Sequence, residues 1–197
     1  MRFKSKREVR EWVWRAIKPY SKFPPPYGRI PNFTNAERAC EKLRELEEYK
    51  KAKVVFVAPD SPLKRAREMV LEDGKILMAV KPRMKGFLII ESGKAGTIRE
   101  MLRYGREIDL DELDLHVDVF VQGCVAVDRK GNRIGKGSGF GDREYKILKE
   151  RGLINGTVYV VIAHPIQIFD DLSSLMEEHD VKVDVILTPN EIIRTSD

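Results

Sequence analysis

The chain has 197 residues, 42% of them hydrophobic, with a formal net charge of +5 from 36 basic and 31 acidic residues. That length supports one core and a single domain over residues 1–197, and no run approaches the roughly 18 apolar residues of a membrane span. Basic and acidic residues interleave, as in "KLRELEEYKK", so solvated helix faces account for the charge and a dedicated nucleic-acid partner is not expected.

The opening "MRFKSKREVREWVWRAIK" has neither an apolar core nor a small-residue cleavage site, so it does not read as a secretory signal and a cytoplasmic protein is expected. Its apolar spacing (Val9, Trp12, Val13, Ala16, Ile17) predicts a helix over Lys6 to Lys18, stopped by Pro19. Trp12 is expected in the core and Trp14 at an edge. "SKFPPPYGRIPNF" follows as a stiff connector. A second helix is expected through "AERACEKLRELEEYKK", capped by Thr34 or Asn35, and "KVVFVAP" is a buried strand. "SPLKRAREMVLEDG" reads as a helix between Ser61 and Gly74, and "KILMAV" as the next strand.

The alternation continues. "AGTIREMLRYGRE" is helical, "VDVFVQGCVAVD" is one long strand, "REYKILKERG" is helical, and "TVYVVIAH" and "VDVILTP" are buried strands. Alternating helices and apolar strands predict an α/β protein, a three-layer α/β/α sandwich with a mostly parallel sheet. Ligands bind such sheets at the carboxyl ends of the strands. Cys40 and Cys124 lack CxxC spacing and neighbouring histidines and read as buried thiols. His116, His164 and His179 share no metal-ligand spacing.

Between the long strand and the helix after it lies "RIGKGSGFGD", Arg133 to Asp142, with Gly135, Gly137, Gly139 and Gly141 at alternate positions. It is not a Walker loop, since Gly141 is followed by Asp142, and no GxGxxG can be placed on it. Two readings remain. Successive amides could turn toward an anion, helped by Lys136, with Asp142 able to hold the magnesium of a polyphosphate. Alternatively "DRKGNRIG" is a hairpin turn and Asp142 caps the next helix.

"DRKGNRIGKGSGFGD" resembles the nucleotide loop of the 5-formyltetrahydrofolate cyclo-ligases (methenyltetrahydrofolate synthetases), with Asp128, Gly131, Arg133, Gly135, Gly137, Gly139 and Asp142 in place. "KREVR", with Lys6 and Arg10, and "HDVKVDVILTP", with Asp180 and Asp184, are similar to two further signatures of that family. The resemblance implies the three-layer fold and a reaction that uses ATP and magnesium to close 5-formyltetrahydrofolate to 5,10-methenyltetrahydrofolate. It implies that Lys6, Arg10, Arg133 and the loop Gly135, Lys136, Gly137, Ser138, Gly139, Phe140, Gly141 hold the nucleotide. Asp142 and Asp180 would hold the metal, and Lys136 would act in catalysis. Val57, Pro82, Arg83, Phe140 and Gln167 would contact a reduced folate or pterin, and Asp184 reads as structural.

The sequence departs from the family pattern at Phe140 and Gly141, where tyrosines are usual, and at Pro62, where an acid usually helps hold the pterin; Asp60 is the candidate to substitute for it. These departures resemble a divergent branch, the methenyltetrahydrofolate synthetase domain-containing proteins, whose animal members add an RNA-recognition module that is not expected in this chain. A non-catalytic nucleotide-binding protein with a regulatory or RNA-contact role is the alternative function, and monomer and homodimer both stay open.

Overall fold

The structure is a computed structural model describing residues 2–196. Its helices are α1 (Lys6–Ala16), α2 (Ala36–Glu41), α3 (Glu47–Lys51), α4 (Lys64–Glu72), α5 (Ile98–Tyr104) and α6 (Phe140–Glu150). The strands are β1 (Val54–Val57), β2 (Ile76–Val80), β3 (Phe87–Ile90), β4 (Arg106–Ile108), β5 (Val117–Gln122), β6 (Ala126–Asp128), β7 (Arg133–Ile134), β8 (Ile154–Ile162), β9 (Ile168–Phe169), β10 (Val185–Leu187) and β11 (Ile192–Arg194).

Eight strands form the main sheet in the order β11-β10-β8-β5-β1-β2-β3-β4. The five from β10 to β2 are parallel neighbours, while β3, β4 and β11 pair antiparallel at the edges. All four residues of β1 are buried, and since successive side chains point to opposite faces, both faces of the sheet are covered there. Helix α4 packs on β1 and β2, α3 on β5 and α6 on β8. In the register of β1 and β5, Phe56 lies beside Phe120, their rings stacked 4.4 Å apart.

The α/β alternation stands, with local corrections. Helix α1 stops at Ala16, and Pro19 sits in a separate 3-10 turn, Lys18–Tyr20. The long second helix is broken by a 3-10 turn, Lys42–Glu45, and an extended Leu46. Leu43, Leu46 and Tyr49 are all buried; a spacing of three drifts around a 3.6-residue helix, and the break lets all of them face inward. Helix α4 is entered through the turn Ser61–Leu63 without a side-chain cap, so Ser61 is not the cap. The edge strands β3, β4 and β11 were not expected, and β4 takes Arg106 and Glu107 from the end of the segment read as helix, which stops at Tyr104.

The strand expected over "VDVFVQGCVAVD" is two strands in two sheets. β5 stays in the main sheet, and β6 joins a small sheet of order β7-β6-β9. The chain turns away at Gly123, whose carbonyl accepts from Arg133 Nε at 2.8 Å. A Cβ at Gly123 would lie 2.4 Å from Ile30, so glycine permits the close approach of the proline-rich connector. That connector is pinned by Trp14, whose indole N–H donates to the Arg29 carbonyl at 3.0 Å. Trp12 packs edge-on against Phe3 and Phe169. Both cysteines are buried and free.

Candidate functional site

In the sheet order, the chain leaves β1 toward β2 on one side and later returns to place β5 on the other. Such a reversal opens a crevice beyond the carboxyl ends of the two strands. A cleft of about 550 Å³ lies there. The segment Pro59–Ser61 after β1, Gln122 at the end of β5, and the glycine loop all line it.

The glycine loop is both a hairpin and a helix entry. β6 and β7 pair antiparallel, and buried Asp128 fixes the turn by accepting from Lys130 N, Asn132 N, Asn132 Nδ2 and Leu172 N, at 3.0, 2.9, 2.8 and 2.7 Å. Beyond β7 the loop opens into the cleft, and α6 begins at Phe140, three residues earlier than "REYKILKERG" suggests. Its N-cap, Gly139, has φ +77° and offers no side-chain cap, and Gly137 has φ +107°. The left-handed conformation that favours glycine is thus used where the first amides and dipole of α6 face the cleft, an arrangement suited to an anion.

Basic groups surround that helix end. Arg10 of α1 donates from Nε to the Gly135 carbonyl at 2.7 Å. Burial in the cleft draws its pKa below the ordinary arginine value, with the Asp142 charge acting the other way. Arg133 has a side chain only 6% exposed and lies 3.4 Å from Asp142, which is 70% exposed. Lys136 is exposed on the cleft wall, and Arg143 braces the loop from outside by donating to Ser138 O at 3.0 Å.

Lys81, Pro82 and Arg83 also line the cleft. Arg83 and Met84 are consecutive non-glycine residues with positive φ, +59° and +56°, so the turn after β2 carries backbone strain beside the cleft. Phe140 and the apolar Ile30 and Ile98 also line the cavity.

The residues singled out in the sequence are therefore only partly brought together. Arg10, Arg133, the loop Gly135 to Gly141, Asp142, Pro82 and Arg83 share the cleft. Lys6 and Asp180 do not line it; they pair with each other, Nζ to Oδ2, at 3.1 Å. Asp180 also accepts from Glu177 N at 2.8 Å and lies 3.7 Å from His179 Nε2, so its carboxylate is engaged outside the cleft. The described residues contain no group of three His, Cys, Asp or Glu side chains arranged to hold a metal. Val57 is buried within β1. Gln167 is a strut beneath the small sheet, donating to the Cys124 carbonyl at 2.7 Å and accepting from His164 N at 2.8 Å. Asp184 is structural as expected, accepting from Tyr159 N at 2.8 Å.

Three more acidic or amide residues line the cleft, Asp60 as the expected substitute for the family's acid, and Glu144 and Gln122, which carried no recognisable motif. Asp60 follows β1; its carboxyl is raised by burial, with Lys136 and Arg133 pulling the other way. Glu144 lies on the first turns of α6, 5% exposed. Burial and then the Asp60 charge push its carboxyl up to about 8, Arg133 opposing. Gln122 ties Glu144 and the loop to the sheet, donating to Gly141 O at 3.0 Å and to Glu144 Oε2 at 3.4 Å while accepting from the Tyr159 hydroxyl.

Among known proteins, the model of the 5-formyltetrahydrofolate cyclo-ligase family matches residues 2–189. Methenyltetrahydrofolate synthase domain-containing protein from Bos taurus is 39% identical over 97% of this chain and 54% of its own length. Its Homo sapiens counterpart is 37% identical over the same shares. The chain thus spans about half the length of these curated relatives. The solved 5,10-methenyltetrahydrofolate synthetase of Aquifex aeolicus superposes with a TM-score of 0.64 over 98% of this chain and 93% of its own, at 23% identity, which supports the fold. With its sequence matched from Arg2 to Pro189 and a cleft built around the glycine loop, the chain belongs to the 5-formyltetrahydrofolate cyclo-ligase family.

Proposed function

We propose that this chain is an ATP- and magnesium-dependent ligase of the cytoplasm. It converts 5-formyltetrahydrofolate, or a related reduced pterin, to 5,10-methenyltetrahydrofolate with release of ADP and phosphate. The observation that carries this reading is the convergence of Arg10, Lys136 and the uncapped start of α6 on one wall of a single cleft. The fit for a polyphosphate is favourable, because side chains on the glycines would fill the cradle: a Cβ at Gly137 would already lie 3.4 Å from the Arg10 guanidinium.

When bound, ATP supplies the γ-phosphoryl group that turns the formyl oxygen into a leaving group, and magnesium lowers the charge repulsion along the phosphates. The chain's own groups do the positioning. Arg10 and the loop amides would hold the phosphates, and Lys136, exposed on the cleft wall, would offset charge at the transferring group. Asp142 is exposed and would be the residue to hold the magnesium, which would reduce charge repulsion along the phosphates. Asp180 does not fit that role while it neutralises Lys6, and Lys6 would reach the phosphates only by giving up that pair. Pro82, Arg83 and Phe140 would face the folate, holding its amine near the formyl carbon so that ring closure is a matter of proximity.

Purified protein given 5-formyltetrahydrofolate, ATP and magnesium should develop methenyl absorbance. ATP bound with no product formed would instead favour a nucleotide-binding protein without this activity.

A further inference from the structure

Ligand binding in the cleft leaves most of the connector between α1 and α2 unexplained. Pro24, Arg29 and Ile30 reach the cavity, whereas Phe23 is 88% exposed and Tyr27 52% exposed, the two most exposed large hydrophobic side chains among the described residues. Tyr27 only leans on Trp14, with ring centroids 6.5 Å apart and a tilt of 55°. Between the two exposed rings stand Pro24, Pro25 and Pro26, so that residues 24–27 read Pro-Pro-x-Tyr.

The backbone is extended there for local reasons. Each proline fixes its own φ at about −65° and drives the residue before it out of the helical region, so Pro24 and Pro25 hold polyproline II geometry. Arg29 N donates to the Pro26 carbonyl at 3.1 Å, closing a turn in which Gly28 has φ +74° and Tyr27 stays at negative φ. That is a type II turn, whose second residue is itself extended. With about three residues per turn, Pro24 and Tyr27 share a face, and Pro26, the variable place of the pattern, is the proline that is buried while Pro25 is exposed.

The segment is held ready in this form. Lys22 N donates to the Asn32 carbonyl at 3.2 Å and Asn32 Nδ2 to the Phe23 carbonyl at 3.1 Å, while the Trp14 indole holds the Arg29 carbonyl at the other end. Little chain entropy would be lost on binding. Between Glu11 and Glu37 the sequence carries Arg15, Lys18, Lys22 and Arg29 and no acid, although charges of both signs interleave elsewhere.

We propose that residues 24–27 are a docking segment for a partner domain with an aromatic-lined groove of the kind that reads Pro-Pro-x-Tyr, with acidic side chains on its rim. The aromatic groove takes Pro24 and Pro25, and Tyr27 enters a neighbouring pocket with its hydroxyl free to donate. Lys22 and Arg29 meet the acidic rim. Prolines offer a nucleic acid neither charge nor a backbone N–H, and its grip would rest on the cations and aromatic rings alone. A protein groove is the occupant that uses the whole segment. Because Pro24, Arg29 and Ile30 line the cleft, a domain seated there stands at its edge.

The test titrates the full chain with a purified WW domain of the Pro-Pro-x-Tyr class in a calorimeter. Saturable one-to-one binding is expected. Tyr27→Ala and, separately, Pro25→Ala should weaken it about tenfold or more, while melting temperatures move little because both side chains are exposed. No binding by the unaltered chain, or undiminished binding in folded Tyr27→Ala or folded Pro25→Ala, would overturn the proposal, and the unaltered chain decides it even if a variant fails to fold. A single-stranded RNA oligomer and self-association of the chain are measured alongside. Tyr27-dependent binding of either one, without binding of the WW domain, would assign the surface to that occupant and overturn the proposal as well.

Discussion

Arg10 Nε and the Gly135 carbonyl are joined by a 2.7 Å hydrogen bond across 125 residues of sequence. The first helix thereby sets the position of the glycine loop, and it does so with a charged group that also faces the cleft. Arg10→Ala should weaken ATP binding by about tenfold or more, the loss expected for one charge-assisted contact. Calorimetric titration checks this, and the melting temperature should move little because Arg10 is only partly buried.

The hairpin behind the loop depends on Asp128. It satisfies four donors from Lys130, Asn132 and Leu172. Asp128→Ala would leave several of them buried without an acceptor and should destabilise the fold by about 2 to 4 kcal/mol. Urea unfolding measures it as a lower midpoint with an unchanged slope.

Gly139 tests whether the helix entry uses the backbone or open space. The nearest atom to an added Cβ is 3.9 Å away, while φ is +77°, so the cost is conformational. Gly139→Ala should lose about 1 kcal/mol, and Gly139→Asn, which tolerates the left-handed region, should recover part of it. Equal melting of the Ala variant and the parent would contradict this.

Glu144 gives the stability a pH dependence of unusual sign for a carboxyl. Its folded value of about 8 stands above the ordinary 4.5. Below the unfolded value both states carry the proton and there is no effect. As pH rises through that window the unfolded chain releases the proton first, so stability falls, at up to ~1.4 kcal/mol per pH unit. Above the folded value the loss is complete. Glu144→Gln removes this slope, so its melting temperature should exceed the parent's most at about pH 8 and least at about pH 5.

Much of this was legible in the sequence because it depends on local pattern. The β1, β2, β8 and β10 runs are apolar on both faces, and the capping box of α5, in which Thr97 Oγ1 accepts from Glu100 N at 3.1 Å, lies within a segment read as helical. The glycine loop could be recognised by spacing. What could not be read were the consequences of long-range contact. Gly123 breaks a continuous-looking strand because Ile30 and Arg133 meet it from elsewhere. Lys6 and Asp180, 174 residues apart, neutralise each other, which no spacing rule reveals. Glu144 and Gln122 stayed hidden because they come from different elements and meet Asp60 only in a shared cavity.

The central claim is that ATP held on the glycine loop activates the formyl oxygen of the substrate. It is tested most directly with 5-formyltetrahydrofolate carrying heavy oxygen in the formyl group, incubated with the protein, ATP and magnesium, followed by mass analysis of the released phosphate. The account predicts methenyl product with the heavy oxygen transferred into phosphate, one atom per turnover. Unlabelled phosphate, or phosphate released without methenyl product, would contradict it.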